Sequence, residues 1–419
     1  MKAPICYVHT VARVLPCLLS LLLLIAASPA AAETRVELLT VGPGDEIYSR
    51  FGHTALLVSR DGKPLAVYNY GLSDFERPGL FWEFLRGRSV FWVARQHLRS
   101  MVADYAADDR AVLRQPLALT PAQVTRLLAD LASDAEPQNR EYVYHHTLEN
   151  CATRPRDRLD RVLGGVVAAQ LQGEATGETY RDILRRGLAS DTGILLASEL
   201  LIGRRVDRTM DRWQAVFLPH HLSRHLQRVR LVSGARLAPP PTVVRARRGK
   251  DPLSHDALTG VKLLWGAAAV ACLLALATAL LVRRRSRWAG ATLALQALPV
   301  GLCGLVVWGL AVVATLPELG QNELVLALWP TDLLLLVTAV GWARGNFTRG
   351  RLLRFYLQLR LIAVTLSLLG HAAGLLYQEP RALVLIGAAL VASGWAVNRM
   401  GKAGDKPHDG DGQQLTANS

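Results

Sequence analysis

The chain has 419 residues, 51% of them hydrophobic, with a mean hydropathy of +0.20 and a formal net charge of +14. A soluble chain of this length rarely averages out so apolar, so membrane segments are expected. The basic balance does not point to nucleic acid, because the arginines are scattered and the segment that could bind it reads as exported.

The first 32 residues read as an export signal. Lys2 and Arg13 give a positive start, 15–27 is an apolar stretch, and Ala30-Ala31-Ala32 is a small-residue cleavage site before Glu33. An uncleaved anchor helix is the alternative. Pro16 precedes Cys17 where a lipoprotein signal needs a small residue, so lipidation there is rejected. Of the five cysteines, Cys6 and Cys17 fall in the signal and Cys272 and Cys303 in apolar segments. Cys151 is then alone in the 33–250 domain, which excludes an internal disulfide.

That domain opens on an informative segment. Gly42-Pro43-Gly44 is a turn, and Gly52-His53 leads into a strand-like run over 54–58. Asp61-Gly62 predicts a hairpin, with 65–70 as the return strand. His53 therefore sits at a strand end, with Tyr68, Asn69 and Tyr70 at its level. Asn69 is the residue expected to orient the imidazole, with Tyr68 or Tyr70 as alternatives. The aromatic-rich 77–92 segment (Phe81, Trp82, Phe84, Phe91, Trp92) is read as core rather than as a lid or membrane contact. Thr120 and Pro121 cap an amphipathic helix over 120–132.

The 142–157 segment is polar up to Cys151 and helical after it. Asn150 is a good N-cap, which puts Cys151 in the first turn. Free N–H groups and positive potential at a helix start lower a thiol pKa and can hold an oxyanion. A cysteine nucleophile with His53 as base is the expected chemistry. Asn150, Tyr68, Tyr70, Arg154, Glu46 and Ser49 are expected to bind substrate or support that pair. His145 and His146 could join His53 and Cys151 in a zinc site, but no C-x-x-C or H-x-x-x-H spacing is present, so neither metal nor cofactor is expected. His220 and His221 are read as exposed capping residues.

The basic run Arg245, Arg247, Arg248 and Lys250 reads either as an anionic-lipid contact or as a solvated linker. From 251 to 400 five spans are expected, at 258–282, 289–316, 324–343, 355–377 and 382–397, each near the about 20 residues that cross a bilayer. Arginines at 283–287 and 344–354 and the basic 399–406 tail place those loops in the cytoplasm. The expectation is a multi-pass inner-membrane protein with a periplasmic domain and a cytoplasmic tail over 401–419. Asp332 reads as an interfacial group at a helix end, or else as part of a substrate crevice.

Taken together, GPGDEIYSRFGHTALLV (42–58), YNYG (68–71) and NCATRPRD (150–157) resemble the N-terminal periplasmic domain of Lnb-type lipoprotein N-acyltransferases. The resemblance covers about 35–235, and 317–335 looks like the acidic loop and span of that family's membrane portion. It implies an α+β, permuted papain-like fold ahead of the helical membrane domain, with His53 and Cys151 matching the family's histidine and cysteine. It further implies transfer of an acyl chain from a phospholipid donor, through a Cys151 thioester, to the amine of a lipoprotein or another acceptor at the bilayer. A cysteine amidase, peptidase or lipid hydrolase of the envelope is the alternative.

Overall fold

In the computed structural model, residues 33–346, 348–379, 381–400 and 402–403 are described. The expected signal and most of the expected tail lie outside them.

The N-terminal half is built on a seven-stranded sheet of order β6-β4-β3-β2-β1-β5-β9. Its strands are β1 (Thr34–Val41), β2 (His53–Arg60), β3 (Lys63–Leu72), β4 (Val90–Gln96), β5 (Val112–Pro116), β6 (Glu141–Val143) and, after a separate small ribbon of β7 (Ala175–Thr179) and β8 (Thr209–Asp211), β9 (Thr242–Arg245). Every neighbour pair in the seven-stranded sheet is antiparallel. The β2–β3 hairpin turns at Asp61 and Gly62, both at positive φ (51° and 74°), as a tight two-residue turn requires.

Helices cover both faces of the sheet. The main helices of this half are α1 (Leu80–Leu85), α2 (Leu98–Ala107), α3 (Pro121–Asp134), α4 (Thr153–Val162), α5 (Tyr180–Leu188), α6 (Thr192–Leu201) and α7 (Pro219–Leu226), of which α3, α4 and α7 pack on one face of the sheet and α2 on the other. Val36, Leu38, Leu56, Tyr68 and Tyr70 pack on one side against Leu127, Leu131, Leu159, Leu222 and Leu226. Leu39, Val41, Ala55, Leu57 and Val67 pack on the other against Met101 of α2. A strand buried on both sides needs apolar residues throughout rather than alternation, which is why 55–58 is continuously apolar. Thr120 caps α3 in a reciprocal box with Gln123.

Half of the basic run before the first long apolar helix is tied back to the sheet domain: Arg245 ends edge strand β9 and pairs with Asp109 at 3.2 Å, and Arg247 pairs with Asp45 at 2.9 Å, while Arg248 and Lys250 stay exposed.

The C-terminal half is a helical bundle of α8 (Thr259–Arg283), α9 (Trp288–Val313), α10 (Leu335–Ala343), α11 (Arg351–Ala372) and α12 (Ala382–Met400). Among the described residues, four helices are long and apolar enough to cross a membrane, and a fifth span is counted only if a broken pair, Pro317–Leu326 and Pro330–Ala343, bent by 44°, is taken as one. The third expected span is therefore not one straight helix. Pro330 lacks the N–H that would continue a helix through it. The break packs closely on α9: a Cβ on Gly304 would stand 2.5 Å from the Trp329 carbonyl carbon. Asp332 lies at that break, fully buried, and Arg360 of α11 grips it at 2.8 Å while Tyr356 donates to it at 2.6 Å. Its side chain faces the bundle and, as expected of a group ordering a helix end, accepts from the Trp329 N–H at 3.4 Å.

The two halves are joined at one end of the bundle. Gly203 N–H donates to the Glu318 carbonyl at 2.6 Å, Arg204 N–H to that of Gln321 at 2.9 Å, and Asn322 Nδ2 to that of Leu200 at 2.8 Å. Arg204 also pairs with Glu323 at 3.1 Å, and Glu323 accepts from the backbone N–H groups of Tyr377 and Gln378.

Candidate active site

His53 begins β2 opposite Val41, and Ala55 pairs with Asn69 on β3. The two-residue alternation of strands then puts His53, Ala55 and Asn69 on the same face, and Tyr68 and Tyr70 on the other. Asn69 Oδ1 lies 2.6 Å from His53 Nε2, and Asn69 Nδ2 donates to Gln96 Oε1. A carbonyl oxygen accepts only, so Nε2 carries the proton and Nδ1 holds the free lone pair. Tyr68 and Tyr70 have other work. Tyr70 is fully buried and its hydroxyl donates to Asp134 at 2.7 Å, which Arg158 also grips. Tyr68 packs in the core beneath Arg95.

Cys151 ends a tight loop. Asn150, almost wholly buried, accepts from the Ala152 and Thr153 N–H groups at 2.8 and 2.9 Å and donates to the His146 and Phe217 carbonyls. Helix α4 begins at Thr153, so Cys151 stands in the capped turn just before it. Gly71, at φ +83°, makes room: a Cβ there would meet the Cys151 Cβ at 3.2 Å. The backbone N–H groups of Thr54, the residue after His53, and of Cys151 itself are near enough to the sulfur to favour its thiolate. Cys151 thus sits against β3 at the end of the β2–β3 hairpin where His53 begins β2, although 98 positions separate the two in the chain.

The electrostatics run against the expectation from the helix start. Burial pushes the Cys151 thiol up to about 11, more than the two N–H groups and the Arg110 charge draw it down. Burial likewise lowers His53 to about 4 against the Asn69 hydrogen bond, with the Arg110 charge lowering it further. Both side chains keep some solvent contact; the dense surrounding packing, not full enclosure, desolvates them. The resting pair is neutral thiol and neutral imidazole.

Arg110 is the residue that sequence reasoning missed. It is 6% exposed, its Nε donates to the Gly42 carbonyl at 3.0 Å, and its guanidinium lies 4.8 Å from the Tyr105 ring centroid. One terminal nitrogen is buried without a hydrogen-bond partner. Tyr105 stands in turn 6.1 Å from the His53 ring. A buried cation with no ion pair among the described residues is costly, Asp108 acting on it only at longer range, and this one acts on both Cys151 and His53. Nothing in Asp108-Asp109-Arg110 marks it; only the turn after α2 brings it here.

The remaining expected residues have partners of their own. Arg154 pairs with Glu149 at 2.9 Å and stacks on Tyr142. Glu46 is exposed, and Ser49 donates to its carbonyl at 2.8 Å in the loop before β2. His145 and His146 stack on each other at 4.7 Å. His221 is buried on α7 rather than exposed, while His220 meets Arg224 at 2.8 Å. Among the described residues no three His, Cys, Asp or Glu side chains group as metal ligands.

Residues 26–186 match the family described as the Lnb N-terminal periplasmic domain. The match includes His53, Asn69, Arg110 and Cys151. No curated protein and no solved structure matches the chain.

Proposed function

From the premise that this chain is a membrane protein of the Lnb type, we propose that it is a membrane-anchored thiol acyltransferase, with a papain-like core in permuted order. It moves an acyl chain from a phospholipid to the amino-terminal amine of a lipoprotein. The observation that carries this reading is that Cys151 packs against Gly71 at the hairpin end where His53 begins β2, with the imidazole oriented by Asn69.

In the first half-reaction the sulfur attacks the ester carbonyl carbon as its proton passes to His53 Nδ1. Because the resting pair is neutral, deprotonation accompanies attack rather than preceding it. The Thr54 and Cys151 N–H groups face the charge that develops, and Arg110 adds positive potential. Collapse of the tetrahedral intermediate breaks the ester C–O bond, and His53 returns the proton to the departing glycerol oxygen. A thioester and a lysophospholipid result.

In the second half-reaction the acceptor amine attacks the thioester, His53 takes the amine proton, and the C–S bond breaks. The sulfur recovers its proton and the product is an amide. Both substrates reside in a bilayer, which suits a centre mounted on the end of an apolar bundle. The test is reconstitution with radiolabelled phospholipid and a peptide whose terminal diacylglyceryl-cysteine amine is free. Label in the peptide, absent with Cys151→Ala, is the expected result. Free fatty acid as the sole labelled product identifies a hydrolase instead.

A further inference from the structure

The 77–92 segment divides into buried and exposed aromatics. Phe91 is buried, whereas Trp82 and Phe84 on α1 are 57% and 36% exposed, and Leu148 on the neighbouring loop is 63% exposed. The two pieces meet where the Phe84 ring lies 6.0 Å from that of His146. They also sit on the end of the bundle. A Cβ on Gly87 would stand 3.3 Å from Leu316 Cδ2, and Glu318 is near enough for its charge to act on His146. Just before Leu316, α9 ends on Val312 and Val313, which are 82% and 48% exposed. Arg86 and Arg88, flanking α1, are exposed with no ion-pair partner among the described residues.

The same loop runs directly to the nucleophile. His145 and Glu149 close it as a bridge, and Asn150 ties it by donating to the His146 carbonyl, one residue before Cys151. Behind the rim, Tyr144 stacks on Phe91 at 4.1 Å, Phe91 meets Phe75 at 5.9 Å, and Phe75 stacks on Tyr48 at 4.4 Å. Tyr144 is close enough for its titration to feel Cys151. An apolar aromatic wall therefore joins the rim to the sulfur.

We propose that the rim of α1 and the 145–148 loop is a membrane-insertion surface, seated in the headgroup layer of the bilayer that holds the bundle, through which the lipid reaches Cys151. Aromatic side chains flanked by arginines are the composition that this layer selects, the rings at the apolar boundary and the guanidinium groups on anionic lipid. The helix end beside the rim exposes valines that hydrocarbon covers, so rim and bilayer are continuous. Insertion depends only on the bundle being embedded; the entry of a lipid donor rests on the acyltransferase reading.

Two measurements on the full chain in nanodiscs of phosphatidylethanolamine and phosphatidylglycerol separate these parts. The first subtracts the emission of Trp82→Phe from that of the wild type, with and without brominated acyl chains. Quenching of the difference signal, strongest for bromine near the carboxyl end of the chain, is expected. An unquenched, red-shifted difference signal overturns the insertion.

The second compares wild type with the Trp82→Ser/Phe84→Ser/Leu148→Ser variant. Acyl-adduct formation from the bilayer is expected to fall by roughly tenfold or more, the scale set by losing a few interfacial apolar contacts. Alkylation of Cys151 by soluble iodoacetamide, which needs the fold but not the rim, stays unchanged. Equal adduct formation by both proteins overturns the entry route. If the wild type forms no adduct at all while Trp82 is quenched, the acyltransferase reading fails and the insertion stands.

Discussion

The bundle and the sheet domain each bury an arginine, under opposite conditions. Arg360 is fully enclosed with Asp332, accepts no exposure to water, and donates in addition to the Leu326 and Ala327 carbonyls. Arg110 is nearly as deep, yet its partners are one carbonyl and one aromatic ring, and a nitrogen is left over. The first arrangement neutralises a charge to hold two helices together. The second leaves positive potential acting on a thiol and an imidazole, where the proposed reaction would place negative charge. A matched buried charge reads as structure, and an unmatched one as function.

The comparison breaks most violently in the bundle. Arg360→Met or Asp332→Leu alone strands a charge and is expected to destabilise by about 3–5 kcal/mol, whereas the double variant recovers most of the loss. Thermal unfolding in detergent reads this directly, and a double variant as unstable as the singles contradicts it. At the site the sign reverses. Arg110→Met removes an uncompensated charge, so Tm is expected to hold or rise while adduct formation slows by roughly 10²-fold, the usual scale for one preorganised electrostatic group. A large drop in Tm would show Arg110 to be structural.

Asn69→Ala is expected to slow adduct formation by roughly tenfold to a hundredfold, since the imidazole loses the acceptor that fixes its tautomer, with Tm little changed. The mildest effects concern pH. In the absence of lipid, iodoacetamide should modify Cys151 slowly at neutral pH and faster towards pH 11, because burial holds the proton on. Arg110→Met should move that profile further up, since a lost cation disfavours the thiolate. The His53 imidazole, lowered to about 4, stays neutral in the fold while an unfolded histidine protonates near 6.5. The unfolded state therefore binds the extra proton first, and stability should fall as pH drops from about 6.5 towards 4. His53→Gln should remove only its share of that loss, because burial lowers His146, His221 and His225 to about 4 as well.

Local signals were readable before any coordinates. Asp61-Gly62 fixes the hairpin, alternation along β3 separates Asn69 from Tyr68 and Tyr70, and Asn150 marks the turn that carries Cys151. Long-range pairing was not. Asp45 and Asp109 claim the arginines before the bundle, and Arg360 claims Asp332, through contacts that no spacing announces. The same limit explains the thiol. A helix start is visible in sequence and lowers a pKa, whereas the desolvation that outweighs it depends on what folds over the sulfur.

The most direct test of the acyl-thioester is the intact mass of the protein purified in phospholipid, wild type against Cys151→Ala. The account predicts an acyl-sized increment on the wild type, removed by hydroxylamine and missing from the variant. An increment of the same mass on both proteins, or on neither, contradicts it.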